Sequence, residues 1–353
     1  MPVTLSDIAK KVGVTKQTVS LVLNKQPSQV SISEKTREKV MKAARDLNYQ
    51  PNYLARNLKE QKSYYIGVTY PEGLLYSENP YLSRLQYGLA LAMVDSDYGL
   101  VFQNKPMDVD HAVKLTHSKR FDGVIFVLYG HALKNFKEQA IPVLNKNRVP
   151  FVLVHSTSQF QLPCHNVGFD NFKAGYLAAE HLIKLGHKDI GYMGVGSGDP
   201  NTLTVAEMKD GFCQAITDNG LDPDPDRVMY LSGHLQGYDK LLPFFKEHKP
   251  RSAYVGFDDY LVSHITRSLQ ENGYTVPGDV ALVSGHSEIT RLQSNWLARP
   301  RTITSVKETV IDKGTAAARM LLNVLAEPEK HTEPERIIFE PELVVRQSCG
   351  AGQ

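Results

Sequence analysis

Cysteine is scarce: the chain has three in 353 residues, Cys164, Cys213 and Cys349, with no CxxC or Cys/His ligand spacing among them. A disulfide framework and a structural zinc are therefore not expected. No apolar run approaches membrane-spanning length, and the opening MPVTLSDIAKK has no apolar signal core. A cytoplasmic protein without a membrane partner is expected. The marks of catalysis are equally thin. GVGSG at 194–198 follows a candidate strand but lacks the lysine of a phosphate loop, and no GxGxxG register fits it. Asp258, Asp259 and His264 have no second histidine at ligand spacing. No Ser/His/Asp or Cys/His set stands in a recognisable local context. An enzyme is not expected, nor a metal or a cofactor.

What is present is an uneven charge. The whole chain carries a formal +2, yet residues 1–62 hold 12 lysines and arginines against 5 acids, a surplus of seven. The remainder must then carry a deficit of five. A basic head on a mildly acidic body is the footprint of a phosphate-binding module joined to something else.

Within that head, Val3–Asn24 reads VTLSDIAKKVGVTKQTVSLVLN. Thr4 can cap a first helix with Asp7 as its reciprocal acid. Leu5, Ile8, Ala9 and Val12 fall at the helical period of a buried face. Gly13 sits where the chain must turn, a position that often needs positive φ. Thr15 can cap a second helix whose inward face is Val19, Val22 and Leu23. That leaves Lys16, Gln17, Thr18, Ser20 and Leu21 for another surface. A helix-turn-helix puts the start of its second helix in the major groove, so these five are the candidate base contacts. Two short packed helices without a DNA role are the plainer alternative. Ser33 can cap a third amphipathic helix, SEKTREKVMKAARDLNY.

From Tyr64 onward, short apolar runs alternate with amphipathic helical stretches. YYIGVTY, YGLVFQ, GVIFVL and PFVLVH read as strands, with helices near 81–95, 108–119 and 132–147. After a break near 162–166 the alternation resumes with NVGF, DIGYMG, RVMYL, SAYVGF and VALVSG. Such β/α alternation predicts parallel sheets covered by helices on both faces. Two halves in tandem suggest two lobes and a cleft, with ligand contacts beyond the carboxyl ends of strands.

TLSDIAKKVGVTKQTVSLVLN, SEKTREKV, YQPNYLARNLK, YIGV, DGVIF, VGFDNFKAGYLAAEHLIKLGHKDIGYMG, VPGDVALV and PELVVRQS occur in this order from about Val3 to Ser348. In these motifs the chain closely resembles the lac-repressor (LacI/GalR) family of bacterial transcription regulators. The resemblance implies an N-terminal all-α helix-turn-helix headpiece at 1–50 and a hinge at 51–62. It also implies an α/β core of two doubly wound parallel-sheet lobes of periplasmic-binding-protein type. The first lobe is placed at 63–165 plus 298–325 and the second at 166–297 plus 326–348, leaving 349–353 as a tail. That tail lacks the apolar heptads of a tetramer zipper, so a homodimer is expected.

The resemblance further implies double-stranded operator DNA as partner, read as a near-palindrome. Asn52 to Leu58 would form a hinge helix on the operator, with Leu58, and Ala55 one turn before it, wedged into the minor groove. Gln17 suits an adenine edge and Lys16 guanine acceptors. Ser6, Asn24, Thr36, Tyr49 and Asn52 suit phosphates. Where many relatives have arginine, this chain has Leu21, so another operator is expected, with a thymine methyl as one contact. A small-molecule effector, sugar-like or another metabolite, is implied between the lobes. Asp258 matches a position near ligand hydroxyls, Met208 stands in place of a frequent arginine, and His286 lies where an acidic pair is usual. Tyr70, Tyr81 and Trp296, near strand ends, are candidates to stack on a ring, although aromatics also fill cores. The alternative is a solute-binding protein of similar core fold with no DNA role.

Overall fold

The computed structural model describes residues 3–23, 32–50, 53–70, 80–103, 107–128, 132–155, 161–196, 203–232, 237–287 and 302–351. The chain divides into two compact units, Met1–Lys62 and Ser63–Gln353.

The first unit contains α1 (Leu5–Val12), α2 (Lys16–Leu23), α3 (Glu34–Asp46) and α4 (Tyr53–Glu60). Local chemistry sets its boundaries. The Asp7 carboxylate accepts the Thr4 amide at 2.9 Å and the Thr4 hydroxyl at 2.7 Å. These bonds hold its pKa below the ordinary value. Gly13 ends α1 at φ +75°, its amide returned to the Ala9 carbonyl, so the chain can reverse within a few residues. Thr15 Oγ1 accepts the Thr18 amide at 3.1 Å to open α2, and Ser33 Oγ accepts the Thr36 amide at 3.3 Å to open α3. Ile8, Val19 and Val40, one from each helix, are fully buried at the centre. Each contributes about 1.5–3 kcal/mol by leaving water, which is what makes so small a unit cohere.

The second unit opens with β1 (Tyr65–Thr69), α5 (Pro80–Met93), β2 (Gly99–Phe102), α6 (Val109–His117) and β3 (Gly123–Val127). A helical stretch follows as α7 (Ala132–Asn135), a π turn (Phe136–Ala140) and α8 (Ile141–Lys146), then β4 (Phe151–Val154), β5 (Asn166–Phe169) and α9 (Asn171–Lys184). Next come β6 (Ile190–Gly196), α10 (Leu203–Asp218), β7 (Val228–Ser232), α11 (Gly237–Glu247), β8 (Ala253–Gly256) and α12 (Asp259–Glu271). The chain finishes with β9 (Ala281–Ser287), β10 (Thr304–Lys307), α13 (Val310–Ala326), β11 (Arg336–Phe339) and β12 (Glu342–Val344). Two sheets result, ordered β2-β1-β3-β4-β5-β11 and β7-β6-β8-β9-β10-β12. Every pairing is parallel except β10 with β12. β3, β4, β5 and β8 are buried along their whole length, as strands covered on both faces must be.

The lobe boundaries differ from those expected. Residues 166–169 complete the first sheet rather than open the second, and residues 304–307 belong to the second sheet rather than the first. The closing segment is shared, β11 joining the first sheet and β12 the second. Among the described residues the chain thus crosses between lobes three times, at 169–171, 307–310 and 339–342. An isolated run such as NVGF carries no mark of which sheet it joins, because β strands of both lobes share one buried pattern.

Each lobe is closed by helices brought together through glycine. A Cβ at Gly175 of α9 would fall on the Met208 carbonyl of α10, and one at Gly211 on the Phe172 carbonyl. Gly88 and Gly314 do the same for α5 and α13. Gly175→Ala must push α9 from α10, and overpacking of this kind costs about 1–3 kcal/mol or more. Urea unfolding of the variant is expected to show a lower midpoint with an unchanged slope.

Candidate nucleic-acid interface and interlobe site

On the first unit, Val19 and Val22 turn inward, which leaves Lys16 and Gln17 exposed at the start of α2. Thr18, Ser20 and Leu21 are half-buried. The Thr18 hydroxyl lies 2.9 Å from that of Thr15, so part of its capacity goes to the cap. Ser6 is exposed in the first turn of α1. Thr36 has a similar local commitment, its hydroxyl 2.9 Å from Ser33 Oγ. Tyr49 is half-buried and packs against the head's core. Asn24 and Asn52 lie outside the described residues, as does the Ala55 side chain. Leu58 is 78 % exposed on α4, so its side chain is not engaged by the head's core.

On the second unit, the carboxyl ends of strands from both sheets converge on a buried polar cluster. At the middle crossing, Glu308 accepts Lys313 Nζ at 2.6 Å, with both side chains almost without exposure. The ammonium also lies 4.8 Å from the Tyr81 ring centroid, over its face. Burial alone would push the Lys313 amine down, but the Glu308 carboxylate and Tyr81 outweigh it and hold the amine above its ordinary value. Burial likewise opposes the Glu308 charge, but the Lys313 ammonium outweighs it and holds the carboxyl below the usual range. Next to this pair, His286 at the end of β9 meets Asn171 Oδ1 at 2.5 Å across the first crossing. An amide oxygen only accepts, so His286 Nε2 carries the proton. Burial keeps this ring neutral by lowering its pKa, against the opposing pull of Glu308 and Asp258. Phe169 and Phe257 flank it, with ring centroids 5.6 and 5.1 Å away.

The other expected effector contacts have structural partners of their own. Met208 is fully buried in the second lobe's core, against the backbone of Gly285. Tyr70 and Tyr81 belong to the first lobe's core, Tyr70 stacked 6.1 Å from Phe102. Asp258 caps α12, its Oδ1 accepting the Leu261 amide at 2.8 Å, so one of its oxygens is spent on the helix. Trp296 lies outside the described residues. The sequence reading missed Asn171, Glu308 and Lys313. For Lys313 a signal existed: Val310, Lys313, Gly314 and Ala317 fall on one helical stripe, and all four are buried. A lysine on such a stripe needs a buried partner.

The sequence profile described as "Bacterial regulatory proteins, lacI family" matches residues 4–52, and that of the periplasmic binding protein-like domain matches 179–349. Catabolite control protein A of Priestia megaterium is 29 % identical over 358 residues, covering 99 % of both chains. The HTH-type transcriptional repressor PurR of Actinobacillus pleuropneumoniae serotype 3 (strain JL03) is 27 % identical over 352 residues, covering 98 % of each. Among solved structures, the lac repressor dimer bound to operator and the anti-inducer ONPF superposes with a TM-score of 0.77 at 23 % identity, covering 99 % of each chain. The regulator CelR in complex with cellobiose gives 0.66 at 23 %, covering 98 % of this chain and 99 % of that one. These structural likenesses speak for the shared fold.

Asp259, the first residue of α12, is 6 % exposed. Burial, eased by the Ser287 and Ser284 hydroxyls, raises its carboxyl to about 6. A folded-state pKa above the unfolded value means that the native protein binds the extra proton. Stability contributed by the neutral acid is therefore lost as pH rises from about 4 to 6. Asp259→Asn is expected to remove this loss. Its stability relative to the parent should grow by about 2–3 kcal/mol between pH 4 and 7, read from urea midpoints.

Proposed function

Because the chain belongs to the lacI family of bacterial regulatory proteins, we propose that it is a cytoplasmic, sequence-specific transcription regulator. It binds a near-palindromic operator as a homodimer and answers to a small molecule held between its lobes, with repression as its usual effect. The observation that carries the reading is the face of α2: Lys16 and Gln17 stand exposed at its N-terminal end, in a unit with seven surplus positive charges. Lys16, Gln17, Thr18, Ser20 and Leu21 face the base edges, Leu21 giving an apolar contact where a guanidinium would favour guanine. Ser6, Asn24, Thr36, Tyr49 and Asn52 hold phosphates. Tyr87, Leu91 and Val94, exposed at helical spacing along and just beyond α5, support a surface covered by a second copy.

For the effector, the chemistry present among the described residues is a neutral imidazole at His286, the amide of Asn171 and the second carboxylate oxygen of Asp258. These favour a neutral, hydroxyl-bearing or heterocyclic ligand over an anion. Among the described residues, the cation buried in this cluster is the Lys313 ammonium, and its charge is already matched by Glu308. CelR holds the sugar cellobiose in its solved structure, and the lac repressor holds the anti-inducer ONPF. The ligand acts through its different affinity for the two lobe arrangements.

In vitro selection from random duplexes at two salt concentrations tests the proposal. A near-palindrome with a flexible central step and salt-sensitive affinity is expected. Failure to enrich any sequence, with pooled metabolites present as well as absent, would favour a solute-binding protein. Leu58→Ala, by removing an apolar wedge, should weaken operator binding by roughly tenfold or more while leaving random-DNA binding nearly unchanged. Equal loss on both duplexes in a titration would contradict the wedge.

A further inference from the structure

The hinge helix α4 ends at Glu60, and β1 begins at Tyr65. Two of the four residues between them, Gln61 at φ +56° and Tyr64 at φ +60°, lie in the left-handed region although neither is glycine. A side chain disfavours that conformation, and it persists only where surroundings over-determine it. At Tyr64 the surroundings are explicit. The Asp122 carboxylate accepts the Ser63 amide with both oxygens, at 2.9 and 3.0 Å, and the Tyr64 amide at 2.8 Å. Asp122 and Ser63 are each 8 % exposed, so water does not compete freely for these bonds. The backbone adds its own ties: the Asp122 amide donates to the Tyr65 carbonyl and the Gly99 amide to the Tyr64 carbonyl, both at 2.9 Å. The Tyr64 ring packs 5.3 Å from that of Tyr98. Tyr98's phenol is raised above its ordinary value by burial, and then by the charge of Asp122 beside it.

A carboxylate at the edge of β3 is more than the fold requires there. β1 and β3 are already held by their ladder, from Ile66 with Gly123 to Thr69 with Phe126. What Asp122 adds is a fixed path, strained at Tyr64, for Ser63 and Tyr64, which lead the chain out of the sheet toward the hinge. We propose that Asp122 is a positioning residue for operator recognition: by holding Ser63 and Tyr64 it fixes the direction in which the body hands the chain to the hinge helix. The inference rests on the operator-binding reading. A relaxed turn would let the hinge helix wander, which costs affinity where the minor-groove wedge must land on one base step. Non-specific binding, which needs only charge, would be spared.

The test uses the full-length dimer, the selected operator and a scrambled duplex at one salt concentration. Asp122→Asn keeps one accepting oxygen of the two. It should lower operator affinity about tenfold and leave scrambled-duplex affinity within about twofold. Tyr64→Gly, at home in the left-handed region, should bind the operator like the parent. The double variant should recover about threefold of the loss, because glycine adopts the turn without being held. Rescue of operator specificity is a result that general destabilisation does not give. The idea is overturned if Asp122→Asn binds the operator like the parent, if it weakens both duplexes equally, or if Tyr64→Gly restores nothing. Should Asp122→Asn fail to fold, amide exchange in the unaltered protein decides. Ser63 and Tyr64 amides protected like those of β1 support the held turn, and fast exchange there refutes it. If the unaltered protein enriches no duplex, the operator reading fails, and the same exchange measurement still judges the turn.

Discussion

Glu308 and Lys313 form a fully buried ion pair, and the arrangement of both lobes depends on its being complete. Two charges out of water gain little over well-packed apolar groups, but a single one left unpaired costs about 3–5 kcal/mol. The middle crossing must therefore place Glu308 where the first turn of α13 brings Lys313, under the ring of Tyr81 from α5. His286, at the end of β9 in the other sheet, adds a bond to Asn171 on the first crossing. Two of the three crossings are fixed by polar contacts that tolerate little displacement. A small molecule acting here would work against a scaffold with few alternatives, which favours two discrete arrangements over a continuum.

The head follows a different rule. Its boundaries come from short-range chemistry, such as the Asp7–Thr4 bonds and the left-handed Gly13, and its core is small. That is why it was legible from residues alone. Each cap is a local pattern of three or four residues, and the inward face of α2 follows from spacing. The surplus of positive charge is a property of the same short segment and is equally readable there. The body was legible in outline for a related reason, since the alternation of apolar runs and amphipathic helices reappears from β1 to β9.

Its long-range choices were not legible. NVGF gave no sign that it pairs with Arg336–Phe339, which was not read as a strand, because the two partners stand more than 150 residues apart. Met208 was expected at a ligand, yet it fills the core against Gly285, where a glycine's missing side chain makes room for sulfur. Asp258 and Asp259 divide their tasks by one residue of helix phase, the first capping α12 and the second buried beside Ser284 and Ser287. Lys313 could have been found, since a cation on an apolar helical stripe is a demand for a partner. The identity of that partner could not, because Glu308 lies outside the helix.

The shared closing segment has a bearing on synthesis. β11 supplies the outer strand of the first sheet, and its residues 336–339 leave the ribosome only after nearly all of the second lobe has done so. The head, made of local contacts, can fold as soon as it emerges. The first lobe cannot finish with it: until β11 arrives, β5 presents an open edge, the kind of surface on which nascent chains misassociate. The two lobes therefore reach completion almost together, and a truncation before residue 336 would strip both sheets of a strand at once.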